Sequence, residues 1–135
     1  MNPHPYLRAY MAGIAVPTLA TVLALTAFCV ARFVYRHPEP LERLLIFPMA
    51  LAPNAWGLWN MLYVRLRTRH QLSIGLYGAG LIFVLTPLGF LVQKMVGLMI
   101  WKPDLFVIGF PLALVMYYLA WKHVVGFFNE LLGIA

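Results

Sequence analysis

Uncharged, mostly apolar runs alternate with short polar segments along this chain. Four of these runs contain no Asp, Glu, Lys or Arg: residues 9–31, 44–64, 71–93 and 105–121, which are 23, 21, 23 and 17 residues long. A helix rises about 1.5 Å per residue, so about 20 residues cross the roughly 30 Å hydrocarbon core of a bilayer. The pattern therefore predicts four transmembrane helices joined by hinges of a few residues.

The predicted fold class is all-α: a polytopic membrane protein built as an up-down bundle of four transmembrane helices. We expect one domain, residues 1–135, with helices at approximately 9–35, 41–66, 72–99 and 104–128. Short hinges favour antiparallel neighbours. The first run is longer than the 7–15-residue apolar core of a signal peptide, so we expect it to be retained as a helix.

Each predicted span contains at least one internal proline: Pro17, then Pro48 and Pro53, then Pro87, then Pro111. Membrane helices tolerate proline because neighbouring groups can re-satisfy the backbone carbonyl that it frees. We therefore expect kinked helices. The gaps that such kinks open can serve packing, a pore or a ligand cavity.

The composition agrees with a membrane location. Hydrophobic residues make up 63% of the chain and charged residues 10%, against about 25% charged in ordinary soluble domains. The formal net charge is +6, but the basic residues cluster at the ends of the uncharged runs, where long side chains reach toward lipid headgroups. We expect membrane lipids as partners and no nucleic acid.

The basic residues do not decide the orientation in the membrane. One side of the predicted bundle carries five of them and the other side also carries five: Arg8, Arg65, Arg67, Arg69 and Lys122 against Arg32, Arg36, Arg43, Lys94 and Lys102. The three arginines of the second hinge form the densest cluster. We therefore expect cytoplasmic N- and C-termini in a multi-pass protein of the cell or inner membrane. Insertion in both orientations, with antiparallel dimers, is the alternative.

One face of the second predicted helix combines polar and aromatic side chains. At about 100° per residue, Trp56, Trp59, Asn60 and Tyr63 share a face, and Arg67 extends it. One hypothesis is a ligand pocket in which Asn60 orients a polar ligand and Arg67 lies at the mouth. The other is that Asn60 hydrogen-bonds a neighbouring helix, because an unpaired amide in hydrocarbon costs a few kcal/mol.

Small residues spaced four apart predict close helix contacts. The pairs are Gly75 with Ala79 and Gly109 with Ala113. Such residues let two backbones approach and gain dispersion contacts. Four helices of this length bury little by themselves, so we expect a homo-oligomer or a larger membrane complex.

The last span carries two tryptophan–lysine pairs, Trp101–Lys102 and Trp121–Lys122, 20 residues apart. An ideal helix separates them by roughly 30 Å, which is the distance between the two aromatic belts of a bilayer. We therefore expect both tryptophans at the interfaces. Residues 123–135 are expected to continue along the interface.

No motif in the chain indicates catalysis. The four histidines lie at or beyond the ends of the predicted spans, and the four acids lie outside the uncharged runs. We predict no catalytic residue, no metal site and no cofactor. The absence of an intramembrane acid also argues against a proton-coupled exporter.

Three functional hypotheses follow. The first is a non-catalytic integral membrane protein that acts as a homo-oligomer or as a subunit of a larger complex. The second is a small-solute transporter or channel with its site on the polar-aromatic face of helix 2. The third is a lipid- or quinone-handling membrane enzyme, for which the residues give almost no support.

Overall fold

The computed structural model describes residues 3–38, 49–69, 71–97 and 102–134. Helix α1 (Pro5–Cys29) continues into a π-helical segment (Val30–Val34), and α2 (Ala50–Leu66) and α3 (Ile74–Val96) follow. Helix α4 (Pro103–Leu119) passes through a second π-helical segment (Ala120–Val125) into α5 (Gly126–Leu131). Within these ranges there is no strand, and the predicted all-helical class is confirmed.

Three helices are long and apolar enough to cross a membrane. They are Pro5–Val34 with 30 residues, Ile74–Val96 with 23 and Asp104–Leu131 with 28. The first, third and fourth predicted spans therefore correspond to long apolar helices. Helix α2 has 17 residues, and residues 44–48 of the second predicted span, including Pro48, lie outside the described residues.

The sequence accounts for both ends of α3. Ser73 precedes the helix in an extended conformation, and its hydroxyl oxygen accepts the backbone N–H of Leu76 at 3.4 Å. This N-cap satisfies one of the free donors of the first turn. At the other end Gly97 adopts φ +72°. This left-handed conformation suits glycine and stops the helix.

The second π-helical segment keeps a row of large side chains on one face. Trp121, Val125 and Asn129 are buried at successive four-residue intervals. In an α-helix, residues four apart drift steadily around the axis because one turn holds 3.6 residues. A π turn closes i→i+5 hydrogen bonds and holds more residues, so these three side chains stay directed at the other helices.

Neighbouring helices run antiparallel where their contacts define a direction. Ala9 contacts Asn60 while Gly13 contacts Gly57, so residue numbers rise in α1 as they fall in α2. The aromatic rings that join α3 and α4 follow the same rule: Phe83 pairs with Phe110, and Phe90 pairs with Phe106.

Burial is unevenly distributed along the helices. The central cluster consists of Trp56, Leu81, Trp121 and Val125. Apart from Val92, every buried residue that the structure describes lies within residues 9–17, 56–60, 75–82 or 121–134. We call residues 5–17, 56–66, 74–82 and 117–134 the closed end, and residues 18–34, 83–96 and 104–116 the open end.

Candidate functional site

An asparagine pair lies at the centre of the closed end. Asn60 is fully buried and Asn129 is 2% exposed. The Asn60 Nδ2 group donates to Asn129 Oδ1 at 2.8 Å and to the backbone carbonyl of Ala9 at 2.7 Å. In return, Asn129 Nδ2 donates to Asn60 Oδ1 at 3.1 Å. Both donors of the Asn60 amide are therefore used, and three helices meet through one side chain.

The C-terminal end of α5 closes on itself directly beside this pair. Gly133 adopts φ +67°, and the backbone N–H of Ile134 donates back to the carbonyl of Asn129 at 2.8 Å. This Schellman arrangement satisfies carbonyls that the end of a helix leaves free. It also folds the buried Ile134 side chain against the closed end.

Two arginines from other helices bind the remaining carbonyls of this turn. Arg8 in α1 donates from Nη1 to the carbonyl of Leu132 at 3.1 Å. Arg67, directly after α2, donates from Nη1 to the carbonyl of Ile134. Positive charge is favourable at a helix C-terminus because the carbonyl dipoles point there. These two bonds join the beginning of α1, the end of α2 and residues 132–134.

The aromatic side chains of α2 are engaged with other helices. The Trp56 ring lies 5.0 Å from Tyr117 and 5.3 Å from Trp121, centroid to centroid. Trp59 donates from Nε1 to the carbonyl of Tyr77 at 2.9 Å and contacts the ring of Tyr77. Such tilted ring pairs contribute about 0.5–1.5 kcal/mol beyond area burial in soluble proteins.

Four of the five predicted ligand-binding residues lie in the closed end and Arg67 lies directly beside it, and each of the five has a partner within the chain. Tyr63, the fifth, packs its ring 5.3 Å from Tyr77. The cavity beside Tyr63 and Arg67 measures about 10 Å³, which is close to the minimum space for one water molecule. Ligand binding at this face stays a prediction.

The predicted helix-packing residues have different surroundings. A Cβ added at Gly75 would lie 2.8 Å from Tyr118 Cε2, so α3 and α4 approach closely there. Ala79 is half-buried on the next turn. Gly109 and Ala113 line a cavity between α3 and α4.

Close approach is also provided by Gly13 and Gly78, which lie outside the two predicted pairs. A Cβ at Gly13 would lie 2.6 Å from the Trp56 carbonyl oxygen and 2.9 Å from Gly57 Cα. One at Gly78 would overlap the Trp121 side chain at its Cβ and ring. The Ala9-x-x-x-Gly13 spacing follows the rule that selected Gly75 and Ala79, and applying it to α1 would have found this contact.

Trp121 differs from the expected interface anchor. It is 0% exposed and lies in the core, with its ring on Gly78 and Trp56. Its indole Nε1 has no hydrogen-bond partner among the described residues. The paired Trp101 lies outside the described residues. Residues 123–134 also differ from the expected interfacial segment, because Val125, Asn129 and Ile134 are buried.

A cavity lies between α3 and α4, for the most part at the open end. Its volume is about 160 Å³, and its lining is mostly apolar and aromatic. Gly89 forms part of its wall, and a Cβ added there would meet no atom within 4 Å. The space is comparable to an engineered cavity of 150 Å³ that binds benzene in a soluble protein.

Comparison of the chain with protein-family profiles, with curated protein sequences and with solved structures finds no match. Within the described ranges, no three His, Cys, Asp or Glu side chains come together as a group that could hold a metal ion.

Proposed function

We propose that this protein is a small multi-pass integral membrane protein of non-catalytic type, which acts as a homo-oligomer or as a subunit of a larger membrane complex. The observation that carries the proposal is the use of Asn60. Both of its amide hydrogens are donated to groups of the same chain. A fully buried amide inside a predicted span thus joins helices.

Exposed apolar surface supports a partner in the membrane plane. On α1 and its π-helical extension, Leu23 is 71% exposed and Phe33 is 80% exposed. On α4, Val107 and Ile108 are each 73% exposed. Surfaces of this kind suit contact with lipid or with another transmembrane helix.

In the proposed topology four helices cross the membrane up-down-up-down, with α2 as the second crossing. The antiparallel contacts of α1 with α2 and of α3 with α4 support this order. The bonds from Arg8 and Arg67 to residues 132 and 134 support a common side for the two termini and the second hinge. The cluster of Arg65, Arg67 and Arg69 favours the cytoplasmic side.

The proposal is tested by measuring how many copies of the protein, and of any partner, occur together in a membrane. The protein, expressed with a cleavable tag, is released from native membranes into lipid nanodiscs and weighed by mass photometry and native mass spectrometry. We expect either a fixed number of copies or a fixed ratio to a co-purified membrane protein. A monomer without a stoichiometric partner, at membrane densities matching those of the cell, would contradict the proposal.

The exposed Cys29 supplies an independent measurement, because it is the only cysteine in the sequence and lies on α1 at the open end. Oxidative cross-linking in membranes is expected to trap a dimer if α1 forms the contact between copies. Cys29→Ala is the matched control. Its dimer band must be absent under the same oxidant.

A further inference from the structure

We propose that the groove between α3 and α4 is a binding site for an anionic phospholipid, with an acyl chain in the groove and the headgroup phosphate against Lys94 and Lys102. The inference rests on the membrane location proposed above. It adds a specific site and a ligand class to it.

The shape of the groove suits a chain rather than a compact solute. Its lining on α4 extends from Phe106 to Tyr117, which corresponds to about 17 Å along the helix axis. Its volume over that length is only about 160 Å³. A long and narrow space of this kind accepts a flexible hydrocarbon chain.

The chemistry of the lining is also that of a hydrocarbon site. Phe90, Phe106 and Phe110 form aromatic walls, and the small residues leave the space between them. The Thr86 hydroxyl, which also lines the groove, already donates to the carbonyl of Ile82 at 2.7 Å. Thr86 and Tyr117 are the polar residues of the lining, and the other residues that line the groove are apolar. The groove therefore suits hydrocarbon better than a polar solute.

Positive charge lies beyond one end of the groove. Phe90 and Phe106 contact each other at 5.6 Å between ring centroids, and together they mark that end. Lys94 follows Phe90 by four residues, one helical turn farther out on about the same face of α3. Lys102 is the N-cap residue of α4, four positions before Phe106. Both lysines are exposed.

One acid lies in the same region. Asp104 is in the first turn of α4, so Lys94, Lys102 and Asp104 together carry a net single positive charge. This arrangement favours a headgroup of one net negative charge, such as phosphatidylglycerol, over zwitterionic phosphatidylcholine. A basic residue near an anionic lipid surface contributes about a fivefold preference.

The experiment is native mass spectrometry of the purified full chain in mild detergent, with equimolar phosphatidylglycerol and phosphatidylcholine added. We expect wild-type protein to retain phosphatidylglycerol at least about fivefold more than phosphatidylcholine. The double variant Lys94→Gln, Lys102→Gln is expected to lose this preference. Gly89→Leu, which fills the groove where space exists, is expected to lose retention of both lipids.

Matched controls separate the groove from the rest of the surface. Val107→Phe adds bulk at an exposed position of α4, and Lys122→Gln removes an exposed lysine at the closed end. Both are expected to retain phosphatidylglycerol as the wild type does. Gly109→Leu is a second groove variant, which covers the case that Gly89→Leu does not fold.

Two outcomes would overturn the site. One is equal retention of the two lipids by wild-type protein, and the other is full retention of phosphatidylglycerol by both folded groove variants. Excess glycerol 3-phosphate tests whether the headgroup alone is the ligand. Displacement by this soluble phosphate would overturn the role of the acyl chain. The stoichiometry of the protein, read from the same spectra, is a separate result and tests the proposed function independently.

Discussion

The closed end contains parts of all five helices, whereas the open end contains parts of α1, α3 and α4 only, and the two ends are packed in opposite ways. At the closed end, glycines allow backbone contact, and a buried amide pair joins three helices. At the open end, helices α3 and α4 touch through phenylalanine rings and leave a groove between them. Most apolar side chains there remain exposed.

The difference shows what holds membrane helices together. Lipid tails are as apolar as leucine, so apolar side chains alone give helices little reason to associate. Close backbone approach and hydrogen bonds between helices provide the additional attraction, and both are concentrated at the closed end. We therefore expect stability to depend on the closed end and interactions with lipid or partners to depend on the open end.

The largest expected difference in stability is between alanine substitutions at two glycines of α3, Gly78 at the closed end and Gly89 at the open end. A Cβ at Gly78 would overlap the Cβ and Cγ atoms of Trp121, whereas a Cβ at Gly89 would meet no atom within 4 Å. We expect Gly78→Ala to lower the free energy of unfolding by about 3 kcal/mol, the upper range for overpacking. Gly89→Ala should change it by less than about 1 kcal/mol.

Unfolding in mixed micelles of mild detergent and sodium dodecyl sulfate, followed by tryptophan fluorescence, measures both variants. Equal destabilisation by the two alanines would remove the distinction between the ends.

A smaller effect is expected at the asparagine pair. Asn60→Leu leaves the buried Asn129 amide without its partner and removes the hydrogen bond to the Ala9 carbonyl of α1, which together costs about 1–3 kcal/mol. The double variant Asn60→Leu, Asn129→Leu should cost less than the sum of the single variants, because both polar groups are removed together. A coupling free energy of about 0.6–1.7 kcal/mol is expected from hydrogen bonds measured in membranes.

The same unfolding assay closes this double-mutant cycle. Strict additivity would show that the two amides do not stabilise one another in the membrane protein. Asn54→Leu removes the acceptor of the Tyr10 hydroxyl on α1 at an exposed position, so it gives the cost of losing an interhelical hydrogen bond of α2 that is not buried.

The smallest effect is expected at the arginine that binds the C-terminal turn. Arg67→Gln removes the charged donor to the Ile134 carbonyl and should cost about 1 kcal/mol. Local release of residues 132–134 should accompany it. Hydrogen exchange of the backbone amides of this turn measures that release.

Arg65→Gln is the matched control, since Arg65 is an exposed arginine two positions earlier in the chain. If the backbone amides of this turn exchange as slowly in Arg67→Gln as in the wild type, Arg67 does not hold residues 132–134 in place.

The helices were predictable because a long uncharged run in a membrane must satisfy its backbone hydrogen bonds internally, and a helix does so. The distinct role of Asn60 was also visible from helical periodicity, since an amide on an apolar face requires a partner. The sequence did not show that Asn129 is the partner of Asn60. Asn129 lies 69 residues away, and no local pattern identifies which helices touch.

Trp121 illustrates a second limit. A tryptophan beside a lysine has the same sequence pattern at a membrane interface and in a helical core, so spacing alone favoured the interface. The core position depends on Gly78, which leaves room for the indole on another helix. The π-helical segment adds to the difficulty, because a constant angle of 100° per residue misplaces every side chain after residue 120.

The separation of Asn60 from Asn129 also sets an order of events during biosynthesis. Translation proceeds at about 5–20 residues per second, so the ribosome adds Asn129 roughly 3–14 s after Asn60. During that interval the Ala9 carbonyl has already been made, and it is one of the two groups to which the Asn60 amide donates. We therefore expect the Asn60 amide to stay incompletely hydrogen-bonded until α5 has been made, and the bond to Asn129 to form last.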